Sequence, residues 1–478
     1  MKSIVHIPGA HRLLTLGLLL VVSLNTAVAA QTWHVSGKGD DSAAGTSAAT
    51  AFRTLKKAAS LVQPGDTVLV GDGIYTDENT NGGSSVLTLS QHGKPEAWTT
   101  WKAAPGANPE IRPAGWHGIL ITGSYVIIDG FRITGANDSI VLADALANAR
   151  PDAKDGKMPP PNPRFNSNGI SIDGRKSAPD RKPHHIIIRN CIVSKCPGGG
   201  LSALEADYVT VEDCQFFENA WFMRYAGSGI TTLNNWAFDD APGYHIIIQR
   251  NLVWNNKTLV PWSATGKLSD GNGILLDVTD GIADGKTGEN AANPNADAAV
   301  KNTGAKKSDP NAASLNPLRP QWKGRALIAN NVSAYNGGSG IHTFRTKHVD
   351  IINNTTYWNG GIVGYQELFP NRSEDVVILN NLIVPRPGGK VTSDNRNQNI
   401  RWDYNLYPVE QNVFKGEHDL VGDPQFVKIA ADLREADFRL QPGSSGLDSG
   451  TDELPQATDH NGQKRPAGKA RDRGAYEQ

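Results

Sequence analysis

Six segments of the chain share one pattern of hydrophobic and polar positions. Each begins with a short run rich in β-branched residues, has Cys or Asn as its seventh residue, and has Cys, Asn or Arg five residues later. The segments are HIIIRNCIVSKC (185–196), YVTVEDCQFFEN (208–219), HIIIQRNLVWNN (245–256), RALIANNVSAYN (325–336), HVDIINNTTYWN (348–359) and DVVILNNLIVPR (375–386). The first two segments start 23 residues apart, and so do the fourth and the fifth.

This repetition predicts a solenoid. A period in the low twenties with two or three short strands per repeat is typical of such folds. We therefore predict an all-β protein, a right-handed parallel β-helix, whose coils stack about 4.8 Å apart. Residues at one register then lie above one another, so the repeated Asn predicts a ladder of side-chain amides. Leucine-rich repeats have a similar period, but their Leu spacing is absent, and two-residue hairpin turns that would indicate a β-sandwich are missing.

A second set of strands alternates with the first. These strands open with glycines and an aliphatic residue, which predicts a tight bend at one corner of each coil. They are GGGLSALEA (198–206), GSGITTLNN (227–235), GNGILLDVTD (271–280) and GSGIHTFRTK (338–347). Alternation along a strand predicts that Ile274, Leu276 and Ile341 point inward. The outward positions are expected at Leu275, Asp277, His342 and Arg345.

The repeats divide the chain into four expected regions. These are a signal peptide (1–30), an N-terminal cap with the first coils (31–116), a β-helix (117–419) and a closing segment (420–478). A short amphipathic helix at about 53–63 is expected to cover the first coil, because an open solenoid end exposes apolar side chains. Two inserts, at 143–168 and 281–321, are read either as loose surface loops or as walls of a binding face.

The first thirty residues favour export. Basic residues near the start precede the apolar run LLTLGLLLVV (13–22), and small residues follow at 27–30, so cleavage is expected near Gln31. The apolar run is too short to span a bilayer, and no later segment is long enough. We therefore expect a secreted or periplasmic protein that does not associate with a membrane.

Charge and cysteine content further restrict the class of protein and its expected partner. The 47 Lys and Arg residues nearly balance the 48 Asp and Glu residues, so nothing indicates a nucleic-acid partner. Three cysteines do not form a disulfide framework. Cys191, Cys196 and Cys214 are read either as one bridge plus one free thiol or as small residues packed in the core. The expected partner is an acidic polysaccharide, and the protein is expected to be a monomer.

Two runs carry a family resemblance. DGNGILLD (270–277) and GGSGIHTF (337–344) are similar to the core of polysaccharide lyase family nine. That family cleaves polygalacturonate by β-elimination, using a Ca²⁺ cluster of aspartates and a lysine base. Asp270 matches an aspartate of the family's calcium motif. This chain departs from the family at Asp277, which stands in place of the lysine, and at Gly338–Ile341, which replace two acidic residues.

Lyase chemistry requires a base, a cation and a proton donor for the leaving oxygen. The basic side chains of one strand and groups of the preceding coil are expected to supply these functions, and Tyr244 and His245 are additional candidates. The predicted catalytic set is His342, Arg345, Lys347, Asp277 and Lys267. The predicted Ca²⁺ ligands are Asp270, Asp239 and Asp240, and the sequence leaves open whether Ca²⁺ is required.

Two other functions remain open. A glycoside hydrolase needs two carboxylates, for which Asp239, Asp240, Asp270, Asp277 and Glu205 are candidates. A non-catalytic carbohydrate-binding surface protein would instead stack sugars on aromatic side chains. The candidates for that role are Trp221, Phe222, Trp236, Trp254 and Trp358.

Overall fold

The computed structural model describes residues 30–77, 84–279 and 319–478. Three parallel sheets run along its length. Sheet 1 contains Thr32–Val35, Thr67–Val70, Thr99–Ala103, Val126–Asp129, His184–Arg189, Asp207–Glu212, Tyr244–Gln249, Arg325–Ala329, Lys347–Ile352, Glu374–Leu379 and Gln398–Asp403. Sheet 2 contains Ile74–Thr76, Glu110–Arg112, Arg132–Thr134, Ile192–Ser194, Gln215–Phe217, Leu252–Trp254, Val332–Ala334, Thr355–Tyr357, Leu382–Val384, Leu406–Tyr407 and Leu420–Val421. Sheet 3 contains Ser85–Leu89, His117–Ile121, Asn168–Asp173, Leu201–Leu204, Ile230–Leu233, Ile274–Asp277, Ile341–Phe344 and Leu368–Asn371.

From Thr67 to Val384 the described strands belong to sheets 1, 2 and 3 in turn, and each strand pairs in parallel with the equivalent strand of the next coil. Phe426–Lys428 and Asp437–Leu440 form a separate antiparallel pair near the C-terminus. The two predicted strand sets correspond to sheet 3 and to the consecutive strands of sheets 1 and 2. The parallel β-helix predicted from the repeats is confirmed.

Aliphatic side chains from all three sheets fill the interior of the coils. On sheet 3, Ile274, Leu276 and Ile341 are fully buried in the main core, as the alternation predicted. Stacking places each of these side chains against its equivalent in the next coil, so the core is continuous along the helix axis. Burial of one such side chain contributes about 1.5–3 kcal/mol.

A buried ladder of asparagines follows the turn from sheet 1 to sheet 2. The side-chain amide of Asn251 donates to Asn331 Oδ1 at 3.0 Å, Asn331 to Asn354 at 3.0 Å and Asn354 to Asn381 at 3.1 Å. Asn381 continues the ladder to Asn405 at 3.0 Å. The predicted Asn ladder is therefore present, and each rung also accepts a backbone N–H from the preceding coil.

A second ladder follows sheet 2, and the glycines of sheet 3 make room for it. It contains Asn219, Asn256, Asn336 and Asn359, whose amide-to-oxygen distances are 3.0, 3.0 and 2.8 Å. A Cβ added at Gly200, Gly229, Gly273 or Gly340 would lie 2.6–3.0 Å from one of these amide nitrogens. The sequence predicted a bend at the glycine-rich start of these strands, and Gly271 there has a left-handed φ of 71°. Gly200, Gly229, Gly273 and Gly340 have a further role. They permit the close approach of the ladder.

The cysteines continue both ladders toward the N-terminus. The backbone N–H of Cys214 donates to Asn251 Oδ1, and that of Cys196 donates to Asn219 Oδ1, both at 3.0 Å. Cys191 donates its N–H to Cys214 Sγ at 3.3 Å. All three thiols are free and buried, and desolvation raises the pKa of Cys196 to about 12. They are small core residues of the ladder columns.

Helices are few in the described chain. Helix α1 (Leu55–Ala59) packs Leu55 and Ala58 onto the first coil and is the predicted capping helix, shorter than expected. Helix α2 (Leu142–Asn148) and helix α3 (Pro163–Asn166) belong to the first insert. Three 3₁₀ turns cover Ala48–Thr50, Asn137–Ser139 and Pro179–Arg181. Within the described residues, no helix is both long and apolar enough to span a bilayer, and the predicted signal peptide and second insert lie largely outside them.

Removing one rung should destabilise the fold strongly. We expect Asn354→Ala to lower the free energy of unfolding by about 3–5 kcal/mol, because it leaves several buried donors and acceptors unpaired. Chemical denaturation measures this change, with the exposed Asn108→Ala as control. A loss no larger than that of the control would contradict a stabilising role for the ladder.

Glu367 should make stability depend on pH. It ends the second ladder, where its buried carboxyl accepts from the backbone N–H of Asn359 at 2.9 Å and from the Asn359 amide. Burial raises its pKa from 4.5 to about 8, so its stabilising contribution is present below pH 4.5 and lost as the pH rises toward 8.

We expect Glu367→Gln to gain stability relative to wild type between pH 5 and pH 8, on the order of 3 kcal/mol. Denaturation curves at several pH values measure the difference. The exposed Glu417→Gln serves as control. A wild-type-to-variant difference that is constant with pH would show that Glu367 does not titrate in this range.

Candidate functional site

The outer face of sheet 3 carries two columns of aligned side chains. Because neighbouring residues of a strand point to opposite faces, the residues between the core positions face outward. One column is Ser171, Ser202, Thr231, Leu275, His342 and Phe369, and the other is Asp173, Leu204, Leu233, Asp277, Phe344 and Asn371. We call this face the sheet 3 groove.

The first insert builds one wall of the groove. Phe165 of helix α3 and Ala145 of helix α2 pack against Phe222 in a small apolar cluster. Arg224 holds the insert by donating to the carbonyl oxygens of Asn148 and Pro159 at 2.8 and 2.9 Å. This insert is therefore ordered against the loops that lead into sheet 3.

A cavity of about 420 Å³ opens in the N-terminal half of the groove. Its lining includes the aromatic side chains of Trp116 and Tyr225 and the polar side chains of His117, Asp173, Arg175 and Lys176. Its volume is within the range of small-molecule sites. Aromatic and charged groups together suit a sugar that carries a carboxylate.

The charges in this cavity are organised around one ion pair. Arg175 donates to both carboxylate oxygens of Asp173, at 3.0 and 2.8 Å, and a third of its side chain is exposed (33%). Desolvation would raise the pKa of Asp173, but these bonds lower it below its usual value. His117 bonds to Ser171 Oγ at 2.7 Å, and desolvation lowers its pKa to about 4, so it is neutral. Because the charges of Asp173 and Arg175 cancel, the charge of Lys176 makes the cavity positive overall.

A second group of polar side chains lies further along the groove. It contains Asp270, Asp277, His342 and Tyr365, which we call the Asp270 cluster. Leu233, which lines the cavity, pairs in register with Asp277, so the cavity and the Asp270 cluster are neighbours. From Asp173 to Asp277 the groove spans three strand spacings, about 14 Å.

The two glycine-rich motifs position Asp270. Asp270 and Gly271 both have left-handed backbone conformations, with φ of 60° and 71°. The carbonyl of Gly271 accepts from Gly338 N–H at 2.8 Å, and Asn272 Oδ1 accepts from Ser339 N–H at 2.9 Å. The DGNG and GGSG runs of the sequence therefore stack in adjacent coils and hold the bend that presents Asp270.

The environment of the Asp270 cluster shifts two pKa values toward the neutral forms. Desolvation raises the pKa of Asp270 to about 7, against the opposing effect of its bond with Asn272. Tyr365 lies beside it, with its hydroxyl 3.4 Å from Ser269 Oγ. Desolvation and the charges of Asp270 and Asp277 raise the pKa of Tyr365. Asp270 can therefore gain or lose a proton near neutral pH while Tyr365 stays protonated.

His342 lies at the floor of this cluster. Its ring stacks on Phe369 with a centroid distance of 4.2 Å and lies 5.7 Å from the ring of Tyr365. Only 5% of the residue is exposed, and desolvation lowers its pKa to about 3, so the ring is neutral. Neither ring nitrogen has a hydrogen-bond partner among the described residues.

The other predicted catalytic residues lie around this cluster at different distances. Arg345 follows the same strand and lies at the corner where the chain leaves sheet 3. Lys347 begins the next strand of sheet 1 and pairs with Glu374 at 2.6 Å. Lys267 is exposed on the loop before Asp270. The structure thus brings Asp277 and His342 together and leaves Lys347 and Lys267 at the periphery.

The three predicted calcium ligands do not come together. Asp239 accepts from the hydroxyl of Tyr208, a residue of sheet 1, at 2.7 Å. Asp240 pairs with Lys323 at 2.6 Å. Asp270 instead lies at the sheet 3 groove. Within residues 30–77, 84–279 and 319–478, no group of three or more His, Cys, Asp or Glu side chains is placed to hold a metal ion.

Other candidates from the sequence have structural partners. Glu205 is buried in an ion pair with Lys182 at 2.6 Å. His245 is buried and bonds to Asp207 at 3.0 Å, and Tyr244 donates to Asp350 at 2.7 Å. Of the five aromatic candidates, only Trp358 is widely exposed, at 41%. The contacts of Glu205, His245 and Tyr244 hold neighbouring coils and loops together.

Several residues of the groove were not predicted from the sequence. Asp173 lies in NGISID (168–173), which repeats the pattern of GNGILLD (271–277). Its equivalence to Asp277 could therefore have been recognised from the sequence. Arg175 and Lys176 follow directly. Tyr365 lies in a loop between sheets 2 and 3 that has no repeated pattern, and nothing in the sequence marks it.

Comparison with known proteins agrees with the fold. A family model described as "Right handed beta helix region" matches residues 115–309, less than half of the chain. A pectate lyase, Pel9A, has a similar structure, with 16% identity, a TM-score of 0.50, and coverage of 94% of this chain and 96% of that one. The predicted right-handed parallel β-helix is thereby confirmed. No curated protein matches the sequence.

Weaker structural matches include two further carbohydrate-related proteins. A rhamnogalacturonan lyase has 13% identity, a TM-score of 0.43, and coverage of 84% of this chain and 91% of that one. A lacto-N-biosidase from Eubacterium ramulus has 13% identity, a TM-score of 0.42, and coverage of 79% of this chain and 56% of that one.

Replacing the buried ring of His342 by an apolar ring should stabilise the fold. We expect His342→Phe to raise the free energy of unfolding by about 1 kcal/mol, because Phe keeps the stack on Phe369 and removes two buried unpaired nitrogens. Chemical denaturation measures the change. His348→Phe is the control, because it loses a 2.7 Å bond to Asp375 and should not gain stability. A destabilised His342→Phe variant would show that the ring nitrogens have partners in the folded protein.

Proposed function

We propose that this protein cleaves an acidic, uronate-containing polysaccharide by β-elimination in the sheet 3 groove. The observation that supports this function best is the arrangement of Asp270, Asp277 and Tyr365 beside a cavity that carries Arg175 and Lys176. An elongated groove accommodates a polymer, and its positive groups favour an acidic one. The similarity of the fold to a pectate lyase is consistent with this reaction class.

In the proposed reaction, Asp270 takes the proton from the carbon next to the uronate carboxylate. The electron pair of that C–H bond forms the new carbon–carbon double bond, and the bond to the leaving oxygen breaks. Tyr365 donates its hydroxyl proton to that oxygen. The proton on Asp270 then passes to the tyrosinate, which restores both groups.

The electrostatics of the Asp270 cluster suit these roles. A carboxylate with a pKa of about 7 is a stronger base than an ordinary aspartate and is still largely ionised at slightly alkaline pH. Tyr365, with its raised pKa, holds its proton until the leaving oxygen develops charge. His342 is neutral and buried, and we assign it to the floor of the site.

A glycoside hydrolase is the second candidate, and the raised pKa of Asp270 favours it. In that reaction protonated Asp270 would be the general acid and Asp277 the general base or nucleophile. The two reactions require opposite protonation states of Asp270. The pH dependence of the rate therefore distinguishes them.

We also propose that the protein works outside the cytoplasm, because residues 1–30 have the features of a signal peptide. A calcium requirement remains a prediction. The three predicted ligands lie apart, and the proton transfers described above involve only side chains of this chain.

The product and the pH profile test the proposal. Polygalacturonate, alginate and glucuronan are incubated with the protein, with and without EDTA, and formation of an unsaturated uronate is followed by ultraviolet absorbance. We expect activity with kcat/KM rising as the pH increases through about 7, the folded-state pKa of the base. Asp270→Asn should lower kcat by roughly 10²–10⁴-fold, since a positioned base contributes that much.

The exposed Asp180→Asn is the matched control and should keep wild-type activity. New reducing ends without ultraviolet absorbance, and a rate that falls above pH 7, would replace the lyase with the hydrolase. Absence of both products on all three polysaccharides would reject the proposed class. Loss of activity in EDTA that added Ca²⁺, but not Mg²⁺, restores would establish a calcium requirement.

A further inference from the structure

The cavity in the sheet 3 groove has a charged end and an apolar end. The charged side chains of its described lining are Asp173, Arg175 and Lys176, and all three lie at or just beyond the end of one strand. The next two strands place Leu204 and Leu233 in the same column, in register with Asp173. Both leucines line the cavity, and each is half-buried. The lining therefore changes from charged to apolar within one strand spacing, about 4.8 Å.

A methionine adds to the apolar part of the lining. Met223 reaches the cavity from the loop that precedes the strand Ile230–Leu233. A Cβ added at Gly227 would lie 2.9 Å from the Met223 sulfur, so glycine at that position leaves room for the methionine. The neighbouring Arg224 ties this loop to the first insert through bonds of 2.8 and 2.9 Å. The methionine is thus carried by a segment that the rest of the fold holds in place.

The other outward column supplies hydroxyl groups beside the leucines. Ser202 and Thr231 pair in register with each other, line the cavity, and precede Leu204 and Leu233 by two residues on the same strands. Each of these two coils therefore presents one hydroxyl and one leucine side chain. The hydroxyls suit the hydroxyl groups of a sugar. An ionised carboxylate buried against the leucines would lose its hydration without gaining a partner there, whereas a methyl group in that place is favourable.

We propose that the apolar end of this cavity binds a methyl-esterified unit of the polysaccharide, so that the protein prefers a partly esterified chain to a fully charged one. Esterification removes the charge of a uronate and adds one methyl group, which matches Leu204, Leu233 and Met223. Leu233 pairs in register with Asp277, so the esterified unit lies beside the Asp270 cluster. The uronate polymer rests on the proposed function, whereas the apolar end follows from the lining itself.

Binding of galacturonate oligomers of equal length tests this proposal without any need for cleavage. The first ligand is unesterified, the second is partly methyl-esterified, and the third is partly O-acetylated with all its carboxylates free. Titration calorimetry is carried out in the Asp270→Asn background, so that the oligomers stay intact.

Two variants of the apolar end are compared with one control. The first is Leu204→Asn/Leu233→Asn. The second is Met223→Gln, which keeps the length of the side chain and leaves sheet 3 unchanged, so that it tests the proposal even if the leucine variant is destabilised. The control is Leu69→Asn/Leu252→Asn, which changes two half-buried leucines at outward positions of sheets 1 and 2.

We expect the parent to bind the partly methyl-esterified oligomer roughly tenfold more tightly than the unesterified one, because an apolar pocket gains about that factor from one methyl group. Both variants of the apolar end should lose this preference and keep an affinity for the unesterified oligomer close to that of the parent. The control should keep the preference. The acetylated oligomer should bind like the unesterified one, because its carboxylates remain charged.

Equal affinity of the parent for the unesterified and the methyl-esterified oligomer would overturn the proposal. An equal loss for all three ligands in the variants would also overturn it, because the leucines would then contact the sugar ring and not the ester. Tighter binding of the acetylated oligomer than of the methyl-esterified one would overturn the assigned ester. If the preference is found but no polysaccharide is cleaved, the proposed function fails and the apolar end stands as a binding site. Cleavage without the preference has the opposite meaning.

Discussion

The two buried asparagine ladders are the interaction on which the rest of this structure depends. Aliphatic stacking alone does not fix the register between successive coils of a solenoid, because it tolerates sliding. A buried ladder of side-chain amides does not tolerate sliding. A shift of one coil along the next would leave donors and acceptors unpaired, at a cost of about 1–3 kcal/mol each. From Asn251 to Asn405, each rung binds the next at 3.0–3.1 Å and so sets the register of the coils.

The register of the coils in turn builds the functional face. The second ladder passes close to sheet 3, and glycine is needed wherever a strand meets it, as at Gly273 against Asn336. The same alignment stacks the bend at Asp270 on the segment around Gly338. The side chains on the outer face of sheet 3 therefore stand in rows, because the ladders fix the register between successive coils. A groove with repeated chemistry along its length is the consequence.

In a solenoid, the features that a sequence reveals are those that recur at the same position in successive coils. Asn331, Asn354 and Asn381 were predicted to form a ladder because each coil repeats the same local environment, and repetition is visible in one dimension. Asp277 and His342 were predicted to face outward for the same reason, since they occupy equivalent strands of sheet 3. Tyr365 was missed because it comes from a loop that occurs once. Asp239 and Asp240 were grouped with Asp270 by residue type alone, and the fold places them on different faces.

The sequence by itself determined the all-β solenoid, its ladder columns, its capping helix and the inward and outward faces of sheet 3. These features depend on contacts between equivalent residues of successive coils, which a periodic pattern encodes directly. Only the tertiary structure decided which loops meet over the groove, that His342 is buried and neutral, and that the environment of Asp270 raises its pKa. Desolvation depends on every neighbour in space, and the neighbours supplied by irregular loops leave no periodic trace along the chain.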